Sequence, residues 1–281
     1  MKSVKEKKAR EGCQDGSMCF LAIDIGNTNI KTGHFLRGNL EETLEIPSSL
    51  DPCEYWPRVE QWLGRDRFKS VRSVGIASVV RSLDTEILQA LATIRQAPKG
   101  KLPGVSIITK DFRFPLKSAY QPGLLGMDRM LAAVAGASLF GKPVITVDIG
   151  SAVTIDLVDG DSLFKGGLIL AGGGFRARAL AAFTSLLPEI SVPQSSPPLI
   201  GTNTTACLSS GIYHGMRAEI QGLVSQIQRE IGTVTPVALT GQGSRLFEPN
   251  LPEGWQIEQW LVLKGIYYSC QGSAVESQEL E

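Results

Sequence analysis

Leu21-Ala22-Ile23-Asp24-Ile25-Gly26-Asn27-Thr28 and Ile145-Thr146-Val147-Asp148-Ile149-Gly150-Ser151-Ala152 share one pattern. Each is an apolar run that reads as a buried strand, an Asp-Ile-Gly turn, small polar residues, and then a second strand. The echo falls at the same point of a strand–turn–strand unit, near the start of each half of the chain. Self-similarity of this kind marks duplicated architecture. It predicts an α/β protein of two related half-domains whose acidic turns face one cleft, with a junction near Gly141-Lys142-Pro143. The expected organisation is residues 1–17 as a disordered extension, 18–141 as the first half-domain and 142–281 as the second. The alternative is that Asp-Ile-Gly only terminates strands.

The remaining pattern alternates strands and helices. Ile30–Phe35, Val74–Val79, Val105–Ile108, Pro143–Val147, Val153–Val158, Leu163–Leu170 and Val237–Thr240 read as strands. Tyr55–Leu63, Leu83–Ile94, Met127–Phe140, Phe175–Leu187, Thr204–Ile231 and Ile257–Tyr268 read as helices. Pro188 closes the Phe175 helix, and the Pro- and Ser-rich Ser191–Pro198 reads as a loop.

Composition narrows the function. The chain has 281 residues, 43% hydrophobic and 20% charged, with 28 basic and 28 acidic side chains. A balanced charge does not point to nucleic acid or an anionic membrane as partner. No apolar run reaches the length of a membrane span, and Met1–Ser17 is basic and polar without a signal-peptide core. Cys13, Cys19, Cys53, Cys207 and Cys270 are scattered and form no CxxC pair, so neither a zinc site nor a disulfide framework is expected. A reducing, cytoplasmic setting follows.

The acidic turns suggest phosphate chemistry. Gly after Asp lets the backbone turn tightly and approach a ligand. Asn27, Thr28 and Ser151 then offer donors to phosphate oxygens. A carboxylate in such a turn makes sense if it holds a cation, directly or through water, that bridges to the phosphates. Lys31 could add a point charge, or could be a solvated strand residue. Gly136–Pro143 approximates a P-loop, but Pro143 stands where a hydroxyl is needed and the segment precedes a strand. Gly172-Gly173-Gly174 approximates a dinucleotide fingerprint without its following acidic strand, so its glycines are expected to allow close approach of another part of the site. Gly126-Met127-Asp128-Arg129 opens a helix. Asp128 suits the helix dipole, and Arg129 could bind a carboxylate or phosphate with two parallel bonds, or lie on the surface. His34 and His214 have no partners at ligand or triad spacing and are expected to be structural.

Together these motifs resemble the type III pantothenate kinases, relatives of acetate and sugar kinases, Hsp70 and actin. The resemblance runs from Phe20 to about Tyr268. Asp24-Ile25-Gly26-Asn27-Thr28-Asn29-Ile30-Lys31 resembles the family's first phosphate motif. Gly126–Arg129, with Tyr120 upstream, resembles its pantothenate motif. Asp148–Thr154 followed by Gly166-Gly167 resembles its second phosphate motif, and Asn203-Thr204 a further substrate segment. The resemblance implies two RNase H-like half-domains in an actin-like ATPase fold, a homodimer, and transfer of phosphate from ATP to pantothenate at the start of coenzyme A synthesis. It implies ATP contacts along Asp24–Lys31 and at Ser151, with magnesium near Asp24, and potassium or ammonium on Asp148. It implies Asp128 as general base, and pantothenate contacts from Tyr120, Gly126, Met127, Asp128, Arg129 and Thr204. Ser151 stands where the family has Thr, and Thr240-Gly241-Gln242-Gly243 stands where it has paired glycines near the adenosine. A sugar or acetate kinase suits the acidic-substrate arginine less well. A non-catalytic regulator of the same fold would not need Asp24, Asp128 and Asp148 together.

Overall fold

The computed structural model describes residues 19–79, 104–109, 111–121 and 123–276. The expected extension at 1–17 and the expected helix Leu83–Ile94 lie outside them. The chain forms two compact units. One holds the described residues up to Phe114, with Gly126–Leu131 and the chain from Val262 onward. The other holds Pro115–Leu125 and Ala132–Leu261.

The first unit is built on a sheet of β1 (Cys19–Ile25), β2 (Asn29–Leu36), β3 (Asn39–Pro47), β4 (Val71–Ser78) and β5 (Gly104–Ile108). Their order is β3-β2-β1-β4-β5. The first three strands form an antiparallel meander, and β4 and β5 run parallel to β1. β1 is hydrogen-bonded on both sides and also buried on both faces, Cys19 to Ile23 all being covered, and burial of both faces is why its sequence is a continuous apolar run rather than an alternating one. Leu21, Ile23 and Ile25 pack with Tyr55, Trp56 and Val59 of helix α1 (Pro52–Leu63). The Tyr55 hydroxyl meets Thr32 Oγ1 at 2.6 Å, so its buried oxygen is satisfied. Asp51 caps α1 by accepting from the Cys53 amide at 2.9 Å. A short helix α2 (Arg65–Ser70) leads into β4.

The second unit repeats this plan. β6 (Lys117–Ser118), β7 (Val144–Ile149), β8 (Ala152–Val158), β9 (Leu163–Ala171), β10 (Val237–Thr240) and β11 (Trp255–Ile257) form one sheet. The order is β11-β10-β7-β8-β9-β6. Apart from the edge strand β6, this is the first sheet's order again: a central strand, two further strands of an antiparallel meander on one side, and two strands parallel to the central one on the other. Helix α3 (Met127–Phe140) precedes β7, and helix α4 (Gly173–Ala182) follows β9. Helix α5 (Thr204–Ile231) buries Ile212, Tyr213, Met216, Ile220 and Val224 against Ile145, Val147 and Ile149. Those helix positions recur at the spacing of one face. Helix α6 (Leu261–Glu276) closes the described chain.

Several expectations change. The compact units do not separate at residues 141 and 142. Helix α6 returns to the first unit, where a Cβ on Gly265 would lie 2.9 Å from Leu131 Cα. The later part of α3 instead belongs with β7, with Gly136 against Thr146, whose Cγ2 a Cβ there would meet at 2.5 Å. Helix α3 also runs through the apparent P-loop. Helix α4 begins at Gly173 rather than Phe175 and ends at Ala182 rather than Leu187. Thr184 Oγ1 there bonds the Leu180 carbonyl at 2.7 Å. Ile257 ends strand β11, so the last helix starts at Leu261 and not at Ile257. β3, with three glutamates among its nine residues, was not expected as a strand. It is an edge strand, and polar composition is common there.

His34 lies in β2 and is 2% exposed, with its Nε2 3.0 Å from Cys19 Sγ. Burial, and next the Arg67 guanidinium, hold its pKa below the ordinary value, with Glu42 opposing them. The folded protein therefore keeps His34 neutral, while the unfolded chain binds a proton as the pH falls through about 6.5. The stabilisation is complete above that pH and is lost on acidification, at no more than about 1.4 kcal/mol per pH unit. Urea unfolding of wild type and His34→Leu between pH 7.5 and 5 is expected to show a shallower acid slope in the variant. Equal slopes would rule out this linkage.

Candidate active site

The two acidic turns occupy equivalent places. Asp24 is the last residue but one of β1, in register with Lys31 on β2 and Ala77 on β4. Asp148 is the last but one of β7, in register with Thr154 on β8 and Thr240 on β10. Both are half-buried, whereas the isoleucine after each is buried in its core. The pleat explains this, since successive side chains point to opposite faces.

The first turn is closed by the Gly26 amide donating to the Asn29 carbonyl at 3.0 Å. Ser48 holds it from outside. Its hydroxyl donates to the Gly26 carbonyl at 2.7 Å and its amide to the Thr28 carbonyl at 2.8 Å. Asn27 and Thr28 are exposed at the tip. Asn29 donates its side-chain amide to Glu45 at 2.7 Å, and Ile25 and Ile30 are buried. Any contact of Ile25 or Ile30 with a ligand would therefore come from the backbone. Ser48 was not picked out from sequence, because a serine after a strand carries no signal of its own.

The second turn is walled by glycines. The Gly150 amide donates to the Ala152 carbonyl at 2.9 Å, and the Gly172 amide to the Ser151 carbonyl at 3.0 Å. A Cβ on Gly172 would sit 2.6 Å from Ser151 O, and one on Gly241 would overlap Asp148 Oδ1 and sit 2.6 Å from Ile149 O. Gly150 and Ser151 are exposed. The expectation that the Gly172 triplet permits a close approach is met, and the neighbour is the acidic turn itself.

Gly126–Arg129 opens α3. Asp128 is exposed, and its Oδ1 accepts from the Arg129 amide at 2.9 Å. Gly126 leaves room for that carboxylate, which a Cβ there would meet at 2.7 Å. Arg129 is only 7% exposed, so it is not a solvated surface arginine. Met127 is half-buried beside them.

Tyr120 packs edge-on against Phe164 at 5.8 Å and lies beside Gly166. Thr204 is exposed at the start of α5, next to the capping residue Asn203, whose Oδ1 accepts from the Ala206 amide at 2.9 Å. Thr204 lines a groove of about 650 Å³ between α4 and α5, with Arg176, Phe183, Leu187 and Cys207. Arg176 is tied to Glu219 at 2.5 Å. The sequence did not suggest this groove. His34 and His214 are structural, His214 Nε2 lying 2.9 Å from the Pro197 carbonyl.

Among the described residues, no three His, Cys, Asp or Glu side chains gather as a metal cage. Single carboxylates at Asp24 and Asp148 fit cations that share their coordination with phosphate and water, as magnesium commonly does. Among the described residues, no helix is long and apolar enough to cross a membrane.

The repeated sheet order with an acidic turn at the end of each central strand defines an α/β protein of two RNase H-like halves, the actin-like ATPase class. A conserved Campylobacter jejuni protein, described as a Baf family transcriptional activator, shares the fold with a TM-score of 0.55 and 20% identity, covering 91% of this chain and 99% of that one. The family model of type III pantothenate kinase matches residues 20–226. A type III pantothenate kinase of Sulfurihydrogenibium is 31% identical over 88% of this chain and 98% of its own length. That of Persephonella marina is 32% identical over 90% and 99%. The chain belongs to the type III pantothenate kinase family, and so to the phosphate-transferring enzymes.

Proposed function

We propose that this protein transfers the γ-phosphoryl group of ATP to the primary hydroxyl of pantothenate, giving 4'-phosphopantothenate and ADP in the cytoplasm, as the first step towards coenzyme A. The observation that carries the reading is the recurrence of an acid–Gly turn at one place in two sheets of the same order, in a chain of this family. The turn at Asp24–Lys31 binds the phosphates through exposed amide and hydroxyl groups at Asn27 and Thr28, with Lys31 adding charge. Ser151 does the same from the second turn. Asp24 suits magnesium, directly or through water, and Asp148 suits a potassium or ammonium ion. When bound, these cations neutralise the charge of the phosphates.

Asp128 accepts the hydroxyl proton as the oxygen bonds to phosphorus and the bond from phosphorus to the β-phosphate oxygen breaks. Its exposure leaves the carboxylate accessible to a substrate, while the Arg129 amide holds Oδ1 in place. Arg129 holds the pantothenate carboxylate, and Tyr120, Gly126, Met127 and Thr204 shape the remainder of that site. Positioning and charge neutralisation supply most of such a rate enhancement.

The α4–α5 groove and its rim suit a second copy of this chain. Phe183, which lines the groove, and Leu186, next in the chain to the lining residue Leu187, are 89% and 90% exposed. Exposed apolar side chains grouped in this way mark contact surfaces. A homodimer through this face would cover them and bring a partner to the helix start where Thr204 stands. Sedimentation velocity is expected to show a dimer in wild type and a monomer in Phe183→Asp/Leu186→Asp. A variant still dimeric would move the interface elsewhere.

A coupled assay with ATP, magnesium, potassium and pantothenate tests the activity. Asp128→Asn cannot take the proton, and general-base loss costs about 10²–10⁴ in rate. The variant is expected to lose turnover and still bind nucleotide. Near-normal turnover would remove Asp128 from this role. No turnover in wild type would leave a regulator of the same fold.

Arg129→Lys keeps the charge but loses the two-pronged geometry. A lost charge-assisted hydrogen bond is worth about 1.5–3 kcal/mol, or roughly ten- to a hundredfold in apparent affinity. The increase is expected in KM for pantothenate and hardly in KM for ATP. It should largely disappear with pantothenol, which lacks the carboxylate. A wild type indifferent to that exchange would show that no carboxylate is read.

A further inference from the structure

We propose that Gly241 and Gly172 are positioning residues that hold the Asp148–Ser151 turn between two backbone walls and give the Asp148 carboxylate a single location. The proposal rests on reading Asp148 as the carboxylate that holds the monovalent cation beside the nucleotide.

The walls come from different parts of the second unit. Thr240, the last residue of β10, is in register with Asp148. The chain then turns at Gly241, with φ 80° and ψ 162°, a conformation that L side chains rarely adopt. Its α-carbon thereby comes so close to Asp148 that an added Cβ would overlap Oδ1. Two residues on, a Cβ at Gly243 would strike the Ile149 side chain and lie 2.9 Å from its carbonyl. On the other side, the Gly172 amide donates to Ser151 O, and a Cβ there would overlap Gly150 O. A side chain on either wall must push the turn aside. A carboxylate that binds an ion gains most when its position is set before the ion arrives. Glycine is unfavourable for chain entropy, and close approach is the physical reason for accepting it here.

Three alanine variants separate crowding from strain. Gly241→Ala brings both. Gly172→Ala brings crowding alone, since φ there is −72°. Gly254→Ala brings strain alone, since φ there is 77° and nothing lies within 4 Å of the added carbon. Binding of the non-hydrolysable analogue AMP-PNP with magnesium is measured by calorimetry over a range of potassium chloride concentrations. Melting temperatures report folding.

The Gly241→Ala and Gly172→Ala proteins are expected to bind AMP-PNP at least about tenfold more weakly at fixed potassium, since misplacement by an ångström can cost more than that. They should also need more potassium for half-maximal tightening. Gly254→Ala should match wild type in both, and Asp148→Asn/Gly241→Ala should bind no more weakly than Asp148→Asn, because the two act through one group. If Gly241→Ala does not fold, Gly172→Ala, with its ordinary backbone, carries the test. Wild-type affinity and potassium dependence in the folded crowding variants would overturn the proposal, and so would an equal loss in Gly254→Ala. If Asp148→Asn itself left the potassium dependence unchanged, the role of Asp148 would fail and this inference with it. A damaging Asp148→Asn beside a silent Gly241→Ala would overturn the positioning alone.

Discussion

A strand hydrogen-bonded on both sides has no edge in water, and this constraint governs both halves of the molecule. β1 and β7 are such strands. Apart from the buried Thr146, their residues are apolar almost to the end, because both faces are covered. The first position at which a charge is found is the last residue but one, still paired but with its side chain only partly covered. Asp24 and Asp148 stand there, half-buried, each followed by an isoleucine that returns to the core. A glycine then turns the chain. The acid is thus anchored by a strand paired on both sides while its side chain remains partly exposed, a placement that suits a group proposed to meet phosphate and cation.

Around each central strand the packing uses the pleat. In the first unit Leu21, Ile23 and Ile25 meet α1, while Phe20, pointing the other way, meets Tyr267 edge-on at 5.3 Å. Tyr267 stacks on Phe35 with ring centres 4.6 Å apart. Gly75 lets α6 approach, since a Cβ there would meet Ile266 Cγ2 at 2.6 Å. The neighbouring Cys270 thiol is pushed up to about 11 by burial, so it remains protonated and inert near neutral pH. Glycines serve close approach in both units, of helix to strand at Gly75 and of turn to turn at Gly172 and Gly241.

Consecutive residues at the start of α3 divide their labour by direction. Asp128 faces outward and accepts the next residue's amide. Arg129, about 100° further round the helix, is buried. A buried guanidinium is expensive without partners, which favours a role set by the structure over a solvated one. The proposed function gives the two neighbours separate tasks, Asp128 taking a proton and Arg129 holding an acidic substrate.

Much of this was legible in the residues. The repeated apolar run with Asp-Ile-Gly announced two related halves, because a buried central strand leaves an unbroken apolar signature. Helix α3 was legible from its richness in Ala, Leu and Met, and α5 from its long helical pattern. Asp24, Asp128, Arg129 and Asp148 could be singled out because acids and arginine beside glycine turns and helix starts are chemically specific. Other features depend on partners distant in sequence. β3 and β11 owe their extended form to pairing with β2 and β10, and no local pattern of polar or three-residue segments reveals that. The assignment of α6 to the first unit depends on Gly265 meeting Leu131, a contact spanning more than a hundred residues. Gly241 read only as part of a glycine segment that the family resemblance puts near the adenosine. That its α-carbon lies against the Asp148 carboxylate was decided by the parallel pairing of β10 with β7. The sequence by itself determined which residues are candidates for the proposed chemistry, since that is a matter of residue type and local geometry. Only the tertiary structure decided what holds them in place, since the walls of the site are backbone atoms brought together by sheet register.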